Sequence, residues 1–105
     1  MDKTIKILCV CGKGNVRSVA TKYALNRRGY NNVLTVGSRL VSSETLTMLY
    51  EWADLVLVAK RGHAKNLPNL LKVNDQFTIG DDRWGNPVNL ELEEIIDKQL
   101  DLINL

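Results

Sequence analysis

The chain has 105 residues, a formal net charge of +2, 45% hydrophobic and 25% charged residues. This composition is too apolar for disorder, and the charge is too small to mark a nucleic-acid binder. The length predicts a single domain, residues 1–105, large enough for one core without covalent staples.

The first element is KILCVC, Lys6 to Cys11: a continuous apolar run, read as a buried strand and ended by Gly12. SVATKYALNRRG follows. Val19, Ala20, Tyr23, Ala24 and Arg27 have helical spacing, and Gly29 is a natural stop. NVLTVG, Asn32 to Gly37, predicts a second strand. Ser42 and Ser43 are N-cap candidates for a helix through Leu46, Leu49, Tyr50 and Trp52. DLVLVA, Asp54 to Ala59, predicts a third strand. Residues 60–74 hold Pro68 with several Asn and Lys, which predicts a loop with a short helix. DQFTIG, Asp75 to Gly80, is a weaker fourth strand, and DDRWGNP is a loop. The last stretch carries Leu92, Ile95, Ile96, Gln99, Leu102 and Ile103 as the apolar stripe of a closing helix.

Strands alternating with helices predict an α/β fold with a parallel sheet. Ligands of such sheets collect at the carboxyl ends of the strands. Two loops then belong to that edge: 11–18, after the first strand, and 80–87, after the fourth. No apolar run approaches the ~18 residues that cross a bilayer, and the N-terminal apolar segment is too short for a signal peptide. A cytoplasmic protein without a membrane partner is expected, with both cysteines kept as thiols. Two cysteines and one histidine make no standard ligand set, so neither a metal nor a cofactor is expected.

The loop reads CGKGNVRS, Cys11 to Ser18. A thiol becomes a good nucleophile only when ionised, and a helix N-terminus beside a cation lowers its pKa. Successive backbone N–H groups in a tight loop form an anion-binding concavity. Gly12 and Gly14 allow the dihedrals this needs, while Lys13, Asn15 and Val16 complete the loop. Arg17 can hold two phosphate oxygens in one fork. Ser18 can hydrogen-bond the thiolate. The plain alternative is a buried cysteine that fills space beside a surface arginine. Cys9 is read in that plain way, as core. Asp81 and Asp82 are paired carboxylates that can serve as the acid for a leaving oxygen, or can simply shape a turn. Trp84 is either a wall of the site or a lid over the core. Trp52 is read as core, and His63 as a solvated loop residue.

The cysteine loop, with a strand before it and a helix after, resembles the low-molecular-weight protein tyrosine phosphatases, most of all a small bacterial and viral branch of that superfamily. TVGSRL (35–40), EWADLVLVAKRGH (51–63) and IGDDRWGNP (79–87) resemble further blocks of that family in the same order. The resemblance implies a three-layer α/β/α sandwich with a four-stranded parallel sheet in the order 2-1-3-4. It implies two-step hydrolysis of a phosphotyrosine protein or small phosphomonoester through a phosphocysteine, without metal. Cys11 would match the nucleophile, Arg17 the phosphate-gripping arginine, Ser18 the thiolate-stabilising hydroxyl and Asp81 the general acid, with Asp82 as the other choice. Three departures stand out. Gly14 and Asn15 come one place later than in the family, with Lys13 in the glycine position. Val16 replaces a second loop cysteine. The chain is short, so its substrate-selecting loops are reduced.

VCGKGNVRS also resembles the cysteine loop of enzyme IIB phosphocarriers of the sugar phosphotransferase system. Arg17 and the aspartate loop weigh against a carrier, which needs neither a dianion clamp nor an acid for water attack. An arsenate reductase would need further cysteines downstream of Cys11, and there are none. A phosphotyrosine-binding module without turnover is the remaining rival.

Overall fold

The computed structural model describes residues 2–105. Its elements are β1 (Ile7–Cys11), α1 (Arg17–Arg27), β2 (Val33–Gly37), α2 (Ser43–Trp52), β3 (Leu55–Val58), a 3-10 turn (Arg61–Ala64) and α3 (Leu90–Leu102). The fold is α/β with a parallel sheet in the order β2-β1-β3. Ile7 pairs with Val33 and Leu55, and Cys11 pairs with Gly37.

All of β1 is buried, as a central parallel strand must be. Its side chains alternate between the two faces. Ile7 and Cys9 join a cluster with Ala24 and Leu25 of α1 and Leu92, Ile96 and Leu100 of α3. Leu8 and Val10 join a second cluster with Leu46 and Tyr50 of α2. Each buried Leu or Ile contributes about 1.5–3 kcal/mol relative to exposure, so these two clusters supply most of the driving force.

Helix starts follow local chemistry. Ser42 caps α2 by accepting from Thr45 N at 3.1 Å, and Asn89 caps α3 by accepting from Glu91 N and Leu92 N. The stripes sit slightly off the expected ones. In α3 Leu100 is buried while Leu102 is exposed, and in α1 Thr21 and Leu25 are buried while Tyr23 faces outward. Arg28 ties the two helices together, with bonds of 2.8 Å to Asp101 and 3.1 Å to Asp97.

The fourth strand expected at Asp75–Gly80 does not form among the described residues. The sheet order therefore ends at β3. Side chains take the backbone donors that a strand would use. Asn74 Oδ1 accepts from Gln76 N and Phe77 N, and Gln99 Oε1 accepts from Thr78 N. Just before the segment, Val73 makes a single parallel bridge to Val56 of β3, and at the segment's end Thr78 Oγ1, Ile79 N and Gly80 N donate to Ala59 O, the residue after β3. That contact still carries residues 80–82 to the carboxyl edge of the sheet. No helix among the described residues is long and apolar enough to cross a membrane.

Candidate active site

β1 ends at Cys11, and after five intervening residues α1 begins at Arg17. The intervening loop is clamped from the side of β2. Ser38 N donates to Cys11 O at 2.8 Å and Arg39 N donates to Gly12 O at 3.0 Å, which extends the strand pairing past Gly37. Gly14 has a positive φ of 75°, so a β-carbon there would be strained. Such a carbon would also lie 2.5 Å from Gly37 N. α1 opens at Val16 with no side-chain cap and no acid in its first turn. Its leading N–H groups are therefore not engaged by a competing side-chain oxygen.

N–H groups of the loop and of the helix start converge on the thiol. Gly14 N donates to Cys11 Sγ at 3.1 Å. The Cys11 thiol lies 3.2 Å from Ser18 Oγ, to which it donates; once ionised, it accepts from the same hydroxyl. Burial alone pushes the Cys11 thiol up. The Ser18 hydroxyl and the N–H groups of Ser18, Gly14 and Val16 outweigh burial and hold it below its ordinary value. Cys9, two residues back, lies wholly inside the core, and burial drives its thiol far upward. Both cysteines are free. One strand thus carries an inert thiol and an activated one.

Above Cys11 sits a cavity of about 140 Å³ lined by Gly12, Lys13, Asn15, Val16, Arg17, Arg39 and Asp82. Arg17 is buried, and its Nη1 donates to Gly80 O, which ties the cysteine loop to the aspartate loop. Its Nε is buried without a hydrogen-bond partner, a costly state for a donor that an anion in the cavity could relieve. Asp82 faces this cavity, and its Oδ1 accepts from Trp84 N and Gly85 N. Asp81 is ion-paired with Lys60 and lines a neighbouring cavity instead. The hydrogen bond and charge of Lys60 hold the Asp81 carboxyl below its usual range. Trp84 packs against the core cluster beneath α1 and α3 and does not line the cavity; Arg83 stacks on its ring at 4.9 Å.

Two site residues escaped sequence reasoning. A β-carbon at Gly12 would lie 3.6 Å from Arg39 Nε and 3.7 Å from His63 Nε2, so both side chains flank the loop. His63 is buried, not solvated, and its Nδ1 has no partner. Burial, then the charges of Arg17, Arg39 and Lys60, lower its pKa to about 4. The signal for both was topological. Parallel pairing brings the segments after β2 and β3 to the same edge as the loop after β1, and the sequence reading followed only two of the loops there.

A larger cavity of about 700 Å³, lined by Val58, Ala64, Val73 and Phe77 among others, lies beside β3, and neither cysteine is among its lining residues. Among the described residues no three His, Cys, Asp or Glu side chains converge in a metal-like group. No protein-family model, curated protein or solved structure matches the chain.

Proposed function

We propose that the chain is a cysteine-dependent phosphatase acting on phosphotyrosine or other aryl phosphate monoesters. The observation that carries this reading is the environment of Cys11. It is a thiol with a lowered pKa, hydrogen-bonded by loop N–H groups and Ser18, beneath a small cavity that two arginines line. A thiolate so placed has its negative charge directed at an incoming phosphorus. The loop donors and Arg17 would neutralise the charge on the nonbridging oxygens as it spreads in the transition state.

In the first step Cys11 Sγ forms a bond to phosphorus as the bond to the ester oxygen breaks. The leaving oxygen takes a proton from an aspartic acid of the 81–82 pair. In the second step the resulting carboxylate takes a proton from water, whose oxygen bonds to phosphorus as the S–P bond breaks. Ser18 Oγ–H stabilises the departing thiolate, and inorganic phosphate leaves. In this reading residues 75–80 stand where the fourth strand of a low-molecular-weight phosphatase sheet would run, with α1 and α3 on one face and α2 on the other. The site would act in the cytoplasm, where a reduced thiol persists.

The test is hydrolysis of para-nitrophenyl phosphate near pH 6, in reductant and without metal, by wild type, Cys11→Ser, Cys9→Ser and Arg17→Lys. Turnover should vanish in Cys11→Ser, persist in Cys9→Ser and fall by about 10²-fold or more in Arg17→Lys, which loses the bidentate fork. Folded wild type without turnover would reject the phosphatase. A stable phosphocysteine, detected by mass spectrometry, would then favour the phosphocarrier.

A further inference from the structure

A second cavity adjoins the one above Cys11 and shares two of its walls, Arg17 and Arg39. It has a volume of about 340 Å³, and its other lining residues include Lys60, His63, Lys65 and Asp81. Four cationic side chains thus face one carboxylate, and that carboxylate is already paired with Lys60. His63 lies at this cavity, 92% buried by its 8% exposure, with Nδ1 unpartnered. The Arg17 Nε, equally buried and unpartnered, lies on the shared wall. Two unpartnered polar atoms on buried residues that line a cationic cavity are costly, and an anion with acceptor oxygens would complete the Arg17 Nε–H and a His63 Nδ1–H.

The chemistry of hydrolysis at Cys11 requires only one phosphoryl group, which the smaller cavity can hold. The larger cavity is then in excess of what an isolated aryl phosphate uses. We infer, resting on the phosphatase reading, that this second cavity binds a second anionic oxygen group of the substrate. The preferred substrate is therefore a phosphomonoester that carries another phosphate or a carboxylate near the scissile one. Lys65 and Arg39 supply charge-assisted bonds to that group, and His63 offers its ring N–H. Arg17 and Arg39 lie between the two anions and offset their mutual repulsion.

The single histidine makes the test direct. In the Cys11→Ser variant, inorganic phosphate is titrated while the Gly14 amide reports the loop and the His63 ring nitrogens report the second cavity by NMR. Acetate is titrated in a parallel arm. The inference predicts two saturable responses with separate midpoints. The His63 midpoint should rise about tenfold in Lys65→Gln, the scale of one charge-assisted contact, while the Gly14 midpoint holds. A His63 response to phosphate alone assigns the group as phosphate; a response to acetate as well assigns it as a general oxyanion. A Gly14 response without any His63 response, or a His63 response indifferent to Lys65→Gln, overturns the second site and leaves the phosphatase standing. Silence at both overturns both. A His63 response with a silent Gly14 keeps the anion site and removes its role in phosphatase specificity, which overturns the inference as stated.

Discussion

Lys13 and Gly37 are in backbone contact: a β-carbon on Gly37 would lie 2.3 Å from the Lys13 carbonyl carbon and 2.5 Å from its oxygen. The end of β2 is therefore the surface against which the cysteine loop is moulded, and a β-carbon on Gly14 would meet the same Val36–Gly37 backbone. Neither neighbour is a flexible side-chain tip, so the backbone itself must yield. Gly37→Ala should cost about 1–3 kcal/mol through overpacking. It should also displace the loop N–H groups from Cys11. Thermal unfolding reads the first effect, and the pH dependence of iodoacetamide alkylation reads the second. An unshifted alkylation profile would show that the loop keeps its shape without this contact.

Ser18 is the side chain that most favours the ionised Cys11. Ser18→Ala removes a hydrogen bond to a charged group, worth about 1.5–3 kcal/mol, so the thiol pKa should rise. The sign for stability follows. The folded pKa lies below the ordinary 9.0, so the thiolate's contribution is complete above 9.0 and is lost as the pH falls through the folded value. Ultraviolet thiolate absorbance against pH, in the Cys9→Ser background, gives the folded pKa directly. Equal profiles for wild type and Ser18→Ala would mean that the loop N–H groups alone ionise the thiol.

The elements around this site were largely legible because each has a local cause. β1 is an unbroken apolar run ended by glycine, α2 starts at a capping serine, and β3 is apolar on both faces. The thiol–Ser18 relation follows from the strand-to-helix turn itself. What local reading could not give were partners supplied from elsewhere in the chain. The 75–80 segment has strand-like composition, yet Asn74 and Gln99 side chains capture its backbone donors. Arg39 and His63 are unremarkable in the sequence, and become site residues only when β2 and β3 are laid beside β1. Trp84 reads equally as a wall of the site or as a lid over the core, and the structure packs it, partly buried, against the core cluster.

His63 makes stability depend on acid. Its folded pKa, about 4, lies below the ordinary 6.5 because the ring is buried beside Arg17, Arg39 and Lys60. Between these values the unfolded chain binds a proton that the folded chain refuses. The contribution is thus complete above 6.5 and is lost as the pH falls toward 4. The denaturation midpoint of wild type should drop across that window, and His63→Asn should flatten the drop. The ring carbon resonances of His63 should not titrate until the pH nears 4. Titration near 6.5 would mean that water and counterions reach the ring freely.

The aspartate pair decides how the leaving group departs. The resemblance to the low-molecular-weight phosphatases implies Asp81 as the acid; by geometry, Asp82 has the better claim. Asp82 lines the cavity above Cys11, and its Oδ1 is engaged by two backbone N–H groups, which leaves Oδ2 to carry the proton. Asp81 is paired with Lys60, which favours the carboxylate and so opposes proton donation. We therefore expect Asp82→Asn to lower kcat by about 10²–10⁴-fold and Asp81→Asn to lower it less. Comparing substrates separates proton donation from mere positioning. Loss of the true acid should hurt phenyl phosphate, whose leaving oxygen needs a proton, more than para-nitrophenyl phosphate, whose leaving oxygen does not. If that selective loss appears in Asp81→Asn instead, substrate binding must draw Lys60 away and free Asp81. Lys60→Gln would then spare the phenyl phosphate rate, whereas with Asp82 as the acid it should leave the ratio of the two substrates unchanged.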